Sequence, residues 1–156
     1  KPLAGGKALT VSAQWNRLDF DGDPLRDADR FAVGAGFVGK IFAANINGGT
    51  EETRRSAGDH LSFDFVSANL GAEVPLAKRV AVVGGIAFDL RRHDTPDPLF
   101  LTERKDERLD LQAGFKVALA DRLFLQPTAT YSRNWSNIAL FDFERWTVSV
   151  GARFEF

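Results

Sequence analysis

The stretch that most limits what this chain can fold into is its end, Glu144 to Phe156, where apolar and polar residues alternate without a break. Trp146, Val148, Val150, Ala152, Phe154 and Phe156 fall on one side of an extended strand, and Thr147, Ser149, Gly151, Arg153 and Glu155 on the other. The zigzag recurs upstream. Leu9, Val11, Ala13 and Trp15 alternate with Thr10, Ser12, Gln14 and Asn16; Phe31, Val33, Ala35 and Phe37 alternate with Ala32, Gly34 and Gly36; Phe42, Ala44 and Ile46 oppose Ala43, Asn45 and Asn47. Farther on, Val80, Val82, Ile86, Phe88 and Leu90 mark a fifth strand. Leu109 to Leu119 alternates with Asp110, Gln112, Gly114 and Lys116 as a sixth, and Leu125, Ala129 and Tyr131 oppose Gln126, Thr128, Thr130 and Ser132 in a seventh.

The fourth strand, Leu61 to Val74, breaks the pattern. Phe63 and Phe65 have one parity, while Val66, Ala68, Leu70, Ala72 and Val74 have the other. Either two aromatics point to the polar side or a bulge shifts the register, and the first reading is preferred. Between strands, the linkers alternate in length. Asp21 to Asp29, Glu51 to His60 and about Arg92 to Glu107 read as long loops, the last because Pro96 and Pro98 are excluded from a central strand. Gly39-Lys40, Pro75 to Arg79 and Ala120-Asp121-Arg122 read as short turns.

Strict long and short alternation is the layout of bacterial outer-membrane barrels, with short periplasmic turns and longer external loops. About eight strands of the ~9 to 11 residues needed to cross a bilayer at a tilt can be counted. The chain is therefore read as all-β, an antiparallel transmembrane β-barrel over residues 1–156, standing alone or forming the C-terminal strands of a larger barrel. Trp15, Tyr131 and Trp146 fall at the outer rim, and Phe37, Phe42, Phe154 and Phe156 at the inner rim, as two aromatic girdles. Trp146, Phe154 and the terminal Phe156 resemble the C-terminal signal of such barrels. The competing fold is a soluble barrel or sandwich, in which the apolar side would be a dry core and Asp110, Lys116, Arg153 and Glu155 would face water.

Composition adds exclusions. The chain is 44% hydrophobic, yet no run approaches the roughly 20 apolar residues of a membrane helix. A mean hydropathy of -0.18 does not count against a barrel, because alternation cancels in any average. The net charge of -1 gives no reason to invoke nucleic acid. Without cysteine there is neither a disulfide framework nor a thiolate metal site. A chain that opens Lys1-Pro2-Leu3 and contains no methionine is read as processed or excised from something longer.

On the polar side, Gly34, Gly36, Gly49, Gly85, Ala87, Gly114 and Gly151 are small. They leave a closed eight-stranded interior underfilled, or they relieve crowding where strands bend. Asp89, Arg91, Asp110, Lys116, Arg153 and Glu155 share that lumen side, and the preferred role for them is mutual pairing across neighbouring strands. A substrate-guiding lumen is the alternative. The segment Asn134 to Phe143 is rich in apolar residues for a loop in water. It is read first as an extension of the last two strands, and otherwise as a segment that folds into the lumen or meets a client or lipid.

Three segments carry a family resemblance: Arg104-Lys105-Asp106-Glu107-Arg108, then Tyr131-Ser132-Arg133-Asn134-Trp135-Ser136-Asn137-Ile138, then Phe141-Asp142-Phe143-Glu144-Arg145 before the closing strand. Together they resemble the C-terminal barrel of the surface lipoprotein assembly modifier family. In that family an Asn-x-Ser-Asn, paired aromatics and an Arg lead into the last strand; here Phe141 and Phe143 stand where tyrosines are often expected. The motif residues are Arg104, Asp106, Asn134, Ser136, Asn137, Phe141, Phe143 and Arg145. The resemblance implies an outer-membrane factor in surface-lipoprotein export, with a periplasmic helical-repeat domain and a barrel of more than eight strands. Its implied partners are the outer-membrane bilayer, client lipoproteins and the barrel-assembly machinery.

No catalytic constellation is expected, and neither a cofactor nor a metal. His60 follows Asp59 in a loop, and His93 shares a parity with Thr95 beside Asp94, but a hydrolase needs nucleophile, base and orienting group within reach. A lipid A deacylase is the sharpest enzymatic alternative, and a small structural or adhesive barrel and a porin-like channel are the non-enzymatic ones. Neither histidine has ligands at zinc spacing.

Overall fold

The computed structural model describes residues 2–3 and 6–154. They form one antiparallel sheet in sequence order: β1 (Pro2–Leu3), β2 (Lys7–Leu18), β3 (Ala28–Val38), β4 (Phe42–Thr53), β5 (Phe63–Ala77), β6 (Val80–Pro96), β7 (Glu103–Ala120), β8 (Leu123–Ser136) and β9 (Phe143–Phe154). Two 3₁₀ turns, Ser56–Leu61 and Ala139–Phe141, sit in outer loops. No described helix is long and apolar enough to cross a membrane. Eight long strands therefore match the count expected from the zigzag. Among the described residues, no ladder joins β9 to β1 or β2.

Register decides which residues share a face, because partners across a ladder point the same way. Trp15 pairs with Phe31, Ile46 with Ala68, Leu70 with Ile86, Ile86 with Leu111, Leu111 with Tyr131, and Tyr131 with Trp146. The oily halves of all the zigzags thus join into one continuous band. Val148 is 77% exposed, Val150 65% and Phe115 49%. A soluble sandwich would bury these residues, and here they face outward. The only buried apolar residues among those described are Ala28, Phe63, Phe65, Ala81 and Ile138, too few for a core.

The aromatic rims appear where the alternation placed them. Tyr131 and Trp146 stack with centroids 5.0 Å apart at the outer rim, and Phe37 and Phe42 with centroids 5.4 Å apart at the inner rim. Phe154 closes β9 opposite Leu123 at the inner end. Phe156 and Glu155 lie outside the described residues.

Phe63 and Phe65 do point inward. Phe65 lies between Gly49 on β4 and Arg91 on β6, and no register shift occurs before Pro75. Gly49 is required there: a Cβ would come within 2.8 Å of Ala32 Cα on the neighbouring strand. Elsewhere the strands outrun their expected ends. The expected long loop from 92 to 107 shrinks to residues 97–102, because β6 continues through Pro96, which pairs with Glu103 after an irregularity. Proline is tolerated at that strand end, where the ladder is already broken. Likewise β4 runs to Thr53 and β5 to Ala77, so the turn after β5 is only 78–79. Strands that leave the hydrocarbon keep pairing in water, where their outward residues become polar: Asp64, Arg92, Lys105 and Glu107.

Candidate functional site

Polar side chains of β5 to β9 converge at the outer mouth, on the inner face above the apolar band. On β6 stand Asp89, Arg91 and His93, and on β7 Arg104, Asp106, Arg108 and Asp110. The register sets Asp89 opposite Arg108 and Arg91 opposite Asp106, so charges alternate both along and across the strands. The closest contacts run along each strand: Arg91 to Asp89 at 2.7 Å, Arg104 to Asp106 at 2.7 Å, and Arg108 to Asp110 at 2.9 Å. This corrects the expectation of pairing between strands. Residues two apart share a face, and the long guanidinium folds back on its own strand more easily than it reaches sideways.

Two charges do pair sideways. Lys116 Nζ donates to Glu73 Oε1 at 3.1 Å, reaching from β7 past β6 to β5 on the inner face. Ser132 donates to Asp110 from β8. Arg153 lies on the same face and lines a pocket with Lys116, Gln126 and Ser149.

The three motif segments meet around this cluster. Arg104 lies with its guanidinium carbon 3.5 Å from the centre of the Phe141 ring, and Asn134 Nδ2 donates to the Phe141 carbonyl at 2.7 Å. Asn137 acts as a clamp: its Oδ1 accepts from Lys105 N–H at 2.7 Å and its Nδ2 donates to the Glu103 carbonyl at 2.8 Å, continuing the ladder by side chain past the end of β8. The Ser136 hydroxyl accepts from Ile138 N–H at 3.2 Å. Arg133 Nη1 holds Asp142 at 2.6 Å. Phe143 sits opposite Asn134, and Arg145 lies over the Phe143 ring at 5.9 Å. Residues 134–136 and 143 therefore extend strands as expected, while 137–142 do not; they fold as a turn that brings Phe141 and Leu140 over the charged cluster.

Comparison with known proteins agrees with this architecture. The family model for the outer membrane protein β-barrel domain matches residues 3–154. The chain belongs to that family. No curated protein and no solved structure matches it. As an outer-membrane β-barrel domain it resides in the bacterial outer membrane with the bilayer around its apolar band.

In this outer-membrane barrel, both histidines lie beyond the band. His93 is buried against Phe63, with ring centroids 5.4 Å apart, and its Nδ1 donates to the His60 carbonyl at 3.0 Å. Burial pushes its pKa below the ordinary imidazole value, helped by nearby Arg104 and opposed by the carbonyl contact. Among the described residues, no three His, Cys, Asp or Glu side chains gather as a metal-binding group.

Sequence reasoning missed Arg108, Glu73 and Asp142 as members of the polar network. The first two carried a signal, since Arg108 shares the parity of Asp110, and Glu73 that of Phe63 and Phe65. Asp142 belongs to a turn, where parity says nothing.

Proposed function

We propose that this barrel is the membrane part of a surface-lipoprotein export or assembly factor and that it performs no chemical catalysis. The observation that carries the reading is the meeting of Arg104, Asp106, Asn134, Ser136, Asn137, Phe141, Phe143 and Arg145 in one interlocked cluster. These residues come from three separate segments and carry the likeness to the lipoprotein assembly modifiers. Their common place is the outer mouth, where a cargo bound for the cell surface emerges.

The inner face is lined by polar and charged side chains, which suits passage. His93 is committed to a backbone carbonyl, and the neighbouring arginines and aspartates hold one another. The two unjoined edges of the described sheet leave room for the further strands that a wider barrel brings. The bilayer is then the lasting partner, with client lipoproteins and the barrel-assembly machinery as transient ones.

The test is surface display. Cells lacking the gene are expected to retain lipoproteins in a protease-protected, inward-facing state, and re-expression to restore their cleavage by external protease. Unchanged display in the deletion strain would overturn the export reading. Steady ion conductance by the purified protein in planar bilayers, combined with unchanged display, would favour a channel instead.

A further inference from the structure

Each short turn at the inner end of the sheet carries a cation. Turn 39–41 holds Lys40, turn 78–79 is Lys78-Arg79, and turn 121–122 holds Arg122, while Lys7 opens β2 at the same end. All five side chains are exposed, and among the described residues none of them has an ion-pair partner. Carboxylates are scarce beside them. Asp121 is exposed in the third turn, and Glu73, on the inner face, is held by Lys116. At the opposite end the balance reverses: the first long loop alone sets Asp19, Asp21, Asp23 and Asp27 against Arg26.

Every one of these turns also brings an apolar side chain to the edge of the oily band. Ile41 is exposed beside Lys40, Leu76 beside Lys78, and Leu119 beside Arg122. Leu76 has the outward parity of Val74, Leu119 that of Phe115, and the stacked Phe37 and Phe42 flank the first turn. A hydrocarbon-facing residue with a cation one step beyond it matches a phospholipid, whose tails lie in the band and whose phosphate lies just outside. Successive turns are two strands apart, roughly 10 Å. That is too far for two turns to share one phosphate, so each meets its own lipid. The apolar band already lies against the bilayer and runs into the turns without a break, which makes lipid, rather than a periplasmic protein, the neighbour of this rim.

We propose that the inner rim binds anionic phospholipids of the periplasmic leaflet, with a headgroup phosphate at Lys40, at Lys78-Arg79 and at Arg122, and acyl chains against Ile41, Leu76 and Leu119. The proposal uses only the inner end of the sheet and is independent of the export reading.

The experiment is electron spin resonance on the full chain reconstituted in phosphatidylcholine vesicles, with folding checked by heat-modifiable gel migration. Trace spin-labelled phosphatidylglycerol or spin-labelled phosphatidylcholine is the probe, and the readout is the fraction of label slowed at the protein surface. Phosphatidylglycerol is expected to be preferred about fivefold, the ratio that one cation near an anionic headgroup supports. The preference is expected to vanish at about 1 M salt, where charges are screened within a few ångströms. Lys40→Gln, Lys78→Gln, Arg79→Gln and Arg122→Gln combined are expected to remove most of it, whereas Arg92→Gln with Lys105→Gln, at the outer end, leaves it in place. Salt acts on the wild type and so tests the same contact without any substitution. Selection that survives salt, or an equal loss from the outer-end pair, would overturn the proposal. Equal slowing of the two labels would also overturn it and assign the rim to a periplasmic protein.

Discussion

The Arg104 guanidinium covers the face of the Phe141 ring with its carbon 3.5 Å from the centroid, joining the start of β7 to the turn between β8 and β9. The same guanidinium, through Nε, neutralises the buried Asp106. One side chain therefore holds the turn down and keeps a carboxylate viable beneath it.

Removing the two halves of that arrangement has unequal consequences. Phe141→Ala is expected to cost about 1 kcal/mol, the scale of a partly exposed cation–π contact. Arg104→Gln leaves Asp106 without its cation and is expected to cost more, up to about 3 kcal/mol given Arg104's partial exposure. Urea titration in micelles checks the order, and external protease should cut 137–142 faster in both variants. Equal effects would show that the Asp106 pairing contributes nothing.

Ile86 lies near mid-height of the apolar band, between Leu70 and Leu111. Ile86→Arg is expected to destabilise by about 2–4 kcal/mol, the cost of a cation on the lipid side at the bilayer midplane. Thr147→Arg, on the inner face of β9, is expected to cost far less. Unfolding midpoints in lipid vesicles compare the two, and the reverse order would mean that the faces are assigned the wrong way round.

Gly49 has no room for a side chain beside Ala32 and opposite Phe65. Gly49→Val is expected to cost about 1–3 kcal/mol by overpacking, read as a lower urea midpoint and a larger unfolded band on gels. Gly6, which has open space around it, gives the comparison, though its positive φ of 72° limits the choice there to Asn.

His93 sets a pH dependence. Its folded pKa lies below the unfolded value near 6.5, so unfolding takes up a proton when the pH falls. The stability it confers is complete above that unfolded value and is lost as acidity carries the ring through its folded pKa. Urea midpoints measured between about pH 8 and pH 5 are expected to drop in the wild type and to drop less in His93→Phe. Parallel slopes would assign the acid sensitivity to other groups.

Much of the fold was legible from period two alone, because each membrane-facing residue answers to one rule, that lipid takes no polar side chain. The parity of Phe63 and Phe65 even located the aromatics that line the inner face at the outer mouth. Strand ends were not legible. Beyond the hydrocarbon the rule lapses, so β6 and β7 could extend through Arg92 and Lys105 with nothing in their hydropathy to show it, and Pro96 masked the continuation further. The mouth was legible in part: parity gathers Asp89, Arg91 and Asp110, but their choice of partner along the strand rests on side-chain reach, and the clamp made by Asn137 rests on a turn that no periodicity describes.

Every long connection, 19–27, 54–62, 97–102 and 137–142, lies at the same end of the sheet, and every short one at the other. Three of those segments carry Asp19, Arg54, Asp59 and Asp97, which must traverse the oily layer once, from inside to outside, before the molecule reaches its resting state. The kinetic toll of biogenesis thus falls on these charged hairpin tips rather than on the strands, and a route into the membrane that shields those tips accelerates insertion without altering the final stability.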